Sequence, residues 1–269
     1  MKRAALLFLV PFLTQCSSLT KPGNGIPLSE APNQAKQILD RSAQTHGAPW
    51  SNYRKVTVSY DGKWAPFVNR IQPDLVDSGF RKRSAEIYDT RAGTVRQEHQ
   101  GEEGRKEVFR SRKGVDVAYS PKKKITKAQR DASALVADAY TAFLFGTSWL
   151  QEHATNISLI EAALIEGHKC HRIQGRLQPG YGFSEHDDFI VWVDTKNHLC
   201  RRIQFTLNGL ESTQGSDVSV TFSNFVKTKD GSVWPSEFLE YVERPIHIKA
   251  HQWKLLELSA DGQKLITNQ

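Results

Sequence analysis

Nine histidines and three cysteines are the first residues to weigh for chemistry. His168, Cys170 and His171 crowd together in GHKCHR. On a strand, His168 and Cys170 share a face and His171 points the other way. Zinc would want further ligands. His198 and Cys200 supply them only if their strands fold close by, so a surface or structural role is expected and no metal site. His247, Lys249 and His251 fall on one face of a late strand, with Trp253 two residues on. That group reads as a solvated edge. Glu185, His186, Asp187 and Asp188 set carboxylates beside an imidazole, which is the material of acid–base catalysis. They are also ordinary turn residues, and no nucleophile is partnered with them. No G-x-S-x-G, H-E-x-x-H, phosphate-loop or dinucleotide glycine pattern occurs. The expectation is a protein that is not an enzyme and needs no cofactor; a hydrolase built on His186 or Asp188 is the most distant alternative.

The remaining cysteine, Cys16, has a different setting. Lys2 and Arg3 precede a short apolar run from Ala4 to Leu13. A run of about ten residues is half of what spans a bilayer, and the pattern is that of a secretory signal. Leu13-Thr14-Gln15-Cys16 resembles the lipobox of bacterial lipoproteins, with Gln15 where a small residue is usual. The resemblance implies cleavage before Cys16 and its modification by acyl chains such as palmitate. Ser17 after the cysteine, by the same family's sorting rule, points to the outer membrane, facing the periplasm. Residues 1–15 then form a lipoprotein signal peptide, 16–28 a lipidated tether and 29–269 a single domain. Ser17–Leu28 is rich in Ser, Gly and Pro; as a flexible chain it would reach about 20 Å root-mean-square.

The net charge is +7, and removing Lys2 and Arg3 leaves about +5. The excess is local: Arg81 to Arg83, Arg105 to Lys113, and Lys122 to Lys124. Each cluster reads as a solvated face, one that also suits an anionic partner such as phospholipid headgroups. An exported location makes nucleic acid a poor partner.

A helix is expected over Glu30–His46, from Ala35, Ile38, Leu39, Ser42 and Ala43, with Gly47 closing it. Tyr53–Tyr60 reads as a strand, Asp61-Gly62 as a hairpin turn, Lys63–Ile71 as a second strand interrupted by Pro66, and residues 72–79 as a loop. Strands follow at Phe80–Tyr88, Thr94–His99, Glu107–Ser111 and Val115–Tyr119. A long helix is expected over Lys127–Leu144, capped by Thr126 and stopped by Gly146. Seven strands close the chain, at Ile157–Ile165, Lys169–Leu177, Asp187–Asp194, Leu199–Leu207, Val218–Val226, Val233–Val242 and His247–Leu258. Hairpin turns separate them, so they form an antiparallel meander. Cys170 and Cys200 lie on strands two apart, about 10 Å, which a disulfide reaches only with help from twist or a bulge. A bridge between them is left open.

A meander of this size must hide its apolar face. Phe189, Val191 and Val193 alternate on one strand, then Ile203, Phe205 and Leu207, then Val218, Val220 and Phe222. The helix stripe Leu135, Val136, Ala139 and Phe143 is the obvious cover. The order of elements resembles the LolA/LolB superfamily of lipoprotein carriers and receptors. The resemblance rests on the opening helix ending Thr45-His46-Gly47, on DDFIVWVDTKNHLCRRIQFTL (Asp187–Leu207) and on VTFSNFVKTKDGSVWPSEF (Val220–Phe238). It implies an α+β fold: a strongly curved antiparallel meander, an incomplete barrel covered by the first and central helices. It also implies a concave apolar site for lipid or lipoprotein acyl chains, formed by Leu135, Val136, Ala139, Phe143, Phe189, Val191, Val193, Ile203 and Phe205. An exposed loop residue that touches a membrane would be Leu75, in the Leu75-Val76 loop. The alternative is a docking module of the cell envelope with a filled core and no ligand.

Overall fold

A computed structural model describes residues 19–28 and 32–267; Cys16 and the signal lie outside them. The elements in chain order are α1 (Pro32–Thr45), α2 (Pro49–Asn52), β1 (Lys55–Trp64), α3 (Pro66–Ile71), α4 (Pro73–Val76), β2 (Arg83–Asp89), β3 (Thr94–Gly101), β4 (Gly104–Ser111) and β5 (Gly114–Ser120). After these come α5 (Lys127–Phe145), α6 (Thr147–His153), β6 (Ala154–Ile165), β7 (His168–Leu177), β8 (Asp187–Asp194), β9 (Cys200–Thr206), β10 (Asp217–Lys227), β11 (Val233–Arg244), β12 (Ile248–Ala260) and β13 (Gln263–Thr267).

All 13 strands belong to one antiparallel sheet, ordered β5-β4-β3-β2-β1-β12-β11-β10-β9-β8-β7-β6, with β13 beside the second half of β12. β5 and β6 are its two edges, so the sheet is an incomplete barrel and the α+β expectation holds. The join between β1 and β12 is the long-range step; every other neighbour in the row is also a neighbour in sequence. α5 lies inside the curve. Thr126 and Gln129 close a reciprocal capping box at its start, which satisfies two of the otherwise orphaned N–H groups. At its end Gly146 takes φ +53°, a conformation that disfavours any side chain. Ala139, Tyr140 and Phe143 of α5 share one core with Phe205, Phe222, Phe238 and Trp253 of the sheet. Trp253 stacks on both Phe238 and Tyr140, at centroid distances of 5.0 and 5.2 Å. His46, just past α1, pins that helix to the sheet: its Nδ1 faces the Val233 carbonyl at 2.8 Å and its Nε2 accepts from the Cys200 amide at 3.1 Å. Burial holds this imidazole below its usual range, so it stays neutral and can donate with one nitrogen and accept with the other.

Five expectations need correction. Asp61-Gly62 is no turn: β1 runs straight through it, pairing Asp61 with Lys254 and Gly62 with Trp253. Glycine is required there by close approach, since a Cβ at Gly62 would lie 2.6 Å from His251 Nε2. Of the expected second strand Lys63–Ile71, Lys63 and Trp64 belong to β1 and Pro66–Ile71 is helical, as α3, with Pro66 at its first turn where its missing N–H costs nothing. His251 is not on a solvated edge. A bulge in β12 pairs Lys249 with Tyr241 but His251 with Glu240, and the extra residue reverses which face follows. Lys249 is therefore exposed and His251 buried. The basic clusters, fourth, are not simply solvated: Arg81 and Lys106 are buried, and Arg110 chelates Asp138 with two nitrogens at 2.8–3.2 Å.

The stretch expected to be a flexible tether is the fifth. Its described part, Leu19–Leu28, lies along the outer face of the sheet. Arg244 donates to the Leu19 carbonyl, Arg172 to Thr20 Oγ1 (3.0 Å), Gln204 to the Thr20 carbonyl (3.2 Å) and Gln174 to the Gly25 carbonyl (2.9 Å). Leu19 packs on the small outer cluster of Ile160, Ile190 and Trp192. These four polar side chains are the hooks that hold this segment.

The two cysteines separate onto opposite faces. Cys170 packs in that outer cluster and Cys200 in the main core, and both are free. Burial pushes the Cys170 thiol up to about 12 and Cys200 higher still, so neither is a reactive thiolate. Alkylation of unreduced, denatured protein followed by peptide mass analysis should label both; a linked Cys170–Cys200 peptide would contradict this geometry.

Candidate functional site

Between α5 and the concave face lies a cavity of about 410 Å³, within the range of small-molecule sites. Leu135, Val136, Ala139 and Phe143 line it from α5, as the 3.6-residue repeat requires. Phe205, Leu207 and Val218 line it from the sheet, and Val68, Ile71, Gln72 and Leu75 from α3 and α4. Five of the nine site residues expected from sequence thus meet here: Leu135, Val136, Ala139, Phe143 and Phe205. Phe189, Val191, Val193 and Ile203 are fully buried in the closed part of the core and do not line the cavity.

Leu75 is half-buried and contributes to the wall, while Val76 is fully buried. The exposed apolar residues sit elsewhere on the rim. Ile71 lines the cavity yet is 48% exposed, and Phe67, one helical turn earlier, is 43% exposed. Ile246, next to the lining residue Pro245, is 57% exposed. Sequence reasoning missed these three because Phe67 and Ile71 were assigned to a strand and Ile246 to a turn.

One end of the cavity is polar. Arg81, only 4% exposed, donates from Nη1 to the Leu75 carbonyl (2.7 Å) and from Nη2 to Tyr140 Oη (3.3 Å). Tyr140 Oη is 3.2 Å from His251 Nδ1. The His251 ring stacks on Trp64 at 3.9 Å, and the Arg81 guanidinium lies 4.9 Å from the Trp64 ring. Burial holds His251 well below its usual range, and Arg81 nearby adds to that. The imidazole is therefore neutral, and its Nδ1 shares a hydrogen bond with Tyr140 Oη. Glu240 enters the cavity from the inner face of β11.

A second cleft, of about 870 Å³, lies on the other side of α5. Arg91, Arg112, Glu152 and His153 are among its lining residues, so it is a wet, charged groove. The other expected chemical groups are structural. Asp187 accepts from the Tyr181 and Asn208 amides (2.9 and 3.0 Å) and from Thr206 Oγ1 (2.8 Å), which ties a corner together. Asp188 binds Arg176 at 2.8 Å. His168 Nδ1 contacts Asp194 at 2.9 Å. Among the described residues, no three His, Cys, Asp or Glu side chains are grouped so as to hold a metal ion.

No family model matches the chain, and no curated protein matches it. Solved structures do. A LolA superfamily protein from Nitrosomonas europaea aligns over 84% of this chain and 92% of its own, at 8% identity and TM-score 0.48. A DUF1329 family protein from Desulfovibrio piger aligns over 85% and 93%, at 12% identity and TM-score 0.43. The lipoprotein LppX from Mycobacterium tuberculosis aligns over 84% and 94%, at 12% identity and TM-score 0.29.

Proposed function

We propose that this chain is a lipid-anchored, periplasm-facing lipoprotein of the outer membrane. In this reading it binds lipid, or the acyl chains of another lipoprotein, non-covalently beneath α5. The observation that supports it most is the apolar cavity whose rim leaves Phe67, Ile71 and Ile246 exposed. A filled core would have no such opening, and exposed apolar side chains around a mouth let an acyl chain pass without crossing water. No bond need be made or broken. Burial supplies roughly 0.8 kcal/mol per methylene, so ten methylenes give about 8 kcal/mol before ordering costs, which corresponds to micromolar binding. Cys16 carries the anchor in this reading. Three peptide bonds separate Cys16 from the docked Leu19, at most about 10 Å fully extended, so in this reading the barrel sits close to its membrane.

Protein extracted in mild detergent should yield a co-purifying lipid by mass spectrometry, in addition to the acyl chains on Cys16. An apolar fluorescent probe should enter the emptied protein. Absence of both lipid and probe binding, together with a stoichiometric protein partner retained in a pull-down, would favour the docking-module alternative.

A further inference from the structure

The polar end of the cavity holds three groups whose hydrogen bonding is unfinished. Arg81 Nε and His251 Nε2 are buried without a partner. Glu240 accepts no hydrogen bond from any described residue, although it lines the cavity beside Val218 and Val242. A charged residue on the apolar face of a strand is costly unless something answers it. The other groups around it do not. His251, opposite Glu240 on β12, is neutral, and its ring hydrogen-bonds through Nδ1 with Tyr140 Oη. Tyr140, from α5, keeps its proton because burial pushes it up. On β10 the partner of Glu240 is Val220. From α3 and α4 the lining offers Gln72, already bonded to Ser212, and no charge. Arg81 alone faces Glu240 as a charge.

We propose that Arg81 and Glu240 form the head-group end of the acyl site, and that its ligand is a fatty acid whose single carboxylate sits between the guanidinium and the Glu240 carboxyl. The inference rests on the acyl-site reading above and adds the head group to it. Arg81 Nε donates to one carboxylate oxygen, completing the guanidinium's hydrogen bonds. The Glu240 carboxyl, in its protonated form, donates to the other oxygen. Two carboxylates cannot both stay ionised at this distance from water, so they share one proton, as paired carboxyls do. Burial already pushes Glu240 up to about 7, with Arg81 opposing. Near neutral pH half of the free protein therefore has to take up a proton on binding. A phosphomonoester head would bring a second charge that a lone Arg81 cannot neutralise. An alcohol head would leave Arg81 and Glu240 to each other and take up no proton.

The test uses the full-length, detergent-extracted and delipidated protein. Palmitate and 1-hexadecanol compete against an apolar fluorescent probe at pH 6 and pH 8, and calorimetry in buffers of different ionisation enthalpy counts protons. Palmitate should bind about tenfold tighter than hexadecanol at pH 6, lose most of that advantage by pH 8, and take up close to one proton at pH 8. Glu240→Gln preserves the donor, so it should keep the palmitate preference while abolishing both the pH dependence and the proton uptake. Because Arg81 also holds the Leu75 carbonyl, Glu240→Gln rather than an Arg81 variant carries the test. Equal affinity for acid and alcohol, or a palmitate preference that the Glu240→Gln change leaves equally pH-dependent, would overturn the head-group assignment while leaving the acyl site standing. If neither amphiphile displaces the probe, the acyl-site reading itself falls and this inference with it.

Discussion

Ala139→Trp is expected to weaken binding of an apolar probe by at least about tenfold while leaving the thermal midpoint within a few degrees of the parent. Ala139 sits at the middle of the α5 stripe, four residues after Leu135 and four before Phe143, and all three line the cavity. An indole placed there enters existing space instead of displacing packed atoms. Ala137 and Ala142, on the same helix, are also fully buried but do not line the cavity. Tryptophan at either of them must force neighbours apart, at a cost of about 1–3 kcal/mol or more. The contrast separates the two effects: a blocked site without lost stability at residue 139, lost stability at 137 and 142. If Ala139→Trp binds the probe as the parent does, the probe occupies the charged cleft on the far side of α5, and the apolar cavity is not the site.

Much of this was readable in the chain, and the parts that were not share a cause. The α5 stripe was legible because helical periodicity is local, and so were its ends, since Thr126, Gln129 and Gly146 act within one turn. Alternation likewise disclosed the strands from β6 to β12. What alternation could not show is where it slips. The extra residue in β12 moves His251 indoors and leaves Lys249 outdoors, and no residue type announces it. Asp61-Gly62 has the composition of a turn, but its glycine answers the His251 ring, which arrives from nearly two hundred residues later. Helix and sheet residues of the cavity were found together because their apolar spacing is regular. Its polar end was missed because Arg81 was read with the basic cluster Lys82 and Arg83, and only the β1–β12 join brings it near β11. Glu240 did leave a signal. In VWPSEFLEYVER the inward positions are Trp234, Ser236, Phe238, Glu240 and Val242, so parity alone places a carboxylate on the concave face.

Lys106→Met should destabilise the fold by about 3–5 kcal/mol, because it strands a buried carboxylate. Lys106 points inward from β4 and is 2% exposed; its Nζ lies 2.8 Å from Asp77 Oδ2. Asp77 ends α4 with φ 47° and also accepts from Tyr119 Oη at 2.7 Å, with Lys123 Nζ 3.8 Å away. Burial by itself would raise this carboxyl, yet Lys106, Tyr119 and Lys123 together hold it below the ordinary range. Its contribution is therefore present above about pH 4 and lost as pH falls through the folded-state value. For Lys106 the sign is opposite. Burial, only partly offset by Asp77, pushes it down to about 8, against about 10.4 in the unfolded chain. Between those values the unfolded chain binds more protons, so Lys106 makes stability rise with pH there. Denaturant titrations of Lys106→Met should show a drop in midpoint at pH 7 and loss of that alkaline rise. Adding Asp77→Asn should restore part of the stability, since the stranded charge is gone. The consequence extends to the cavity: Asp77 closes the same short helix whose Leu75 forms part of the wall and binds Arg81. Probe affinity should therefore fall in the single variant and recover in the double one. A single variant as stable as the parent would mean that solvent reaches Asp77, and that the wall of the site depends on other contacts.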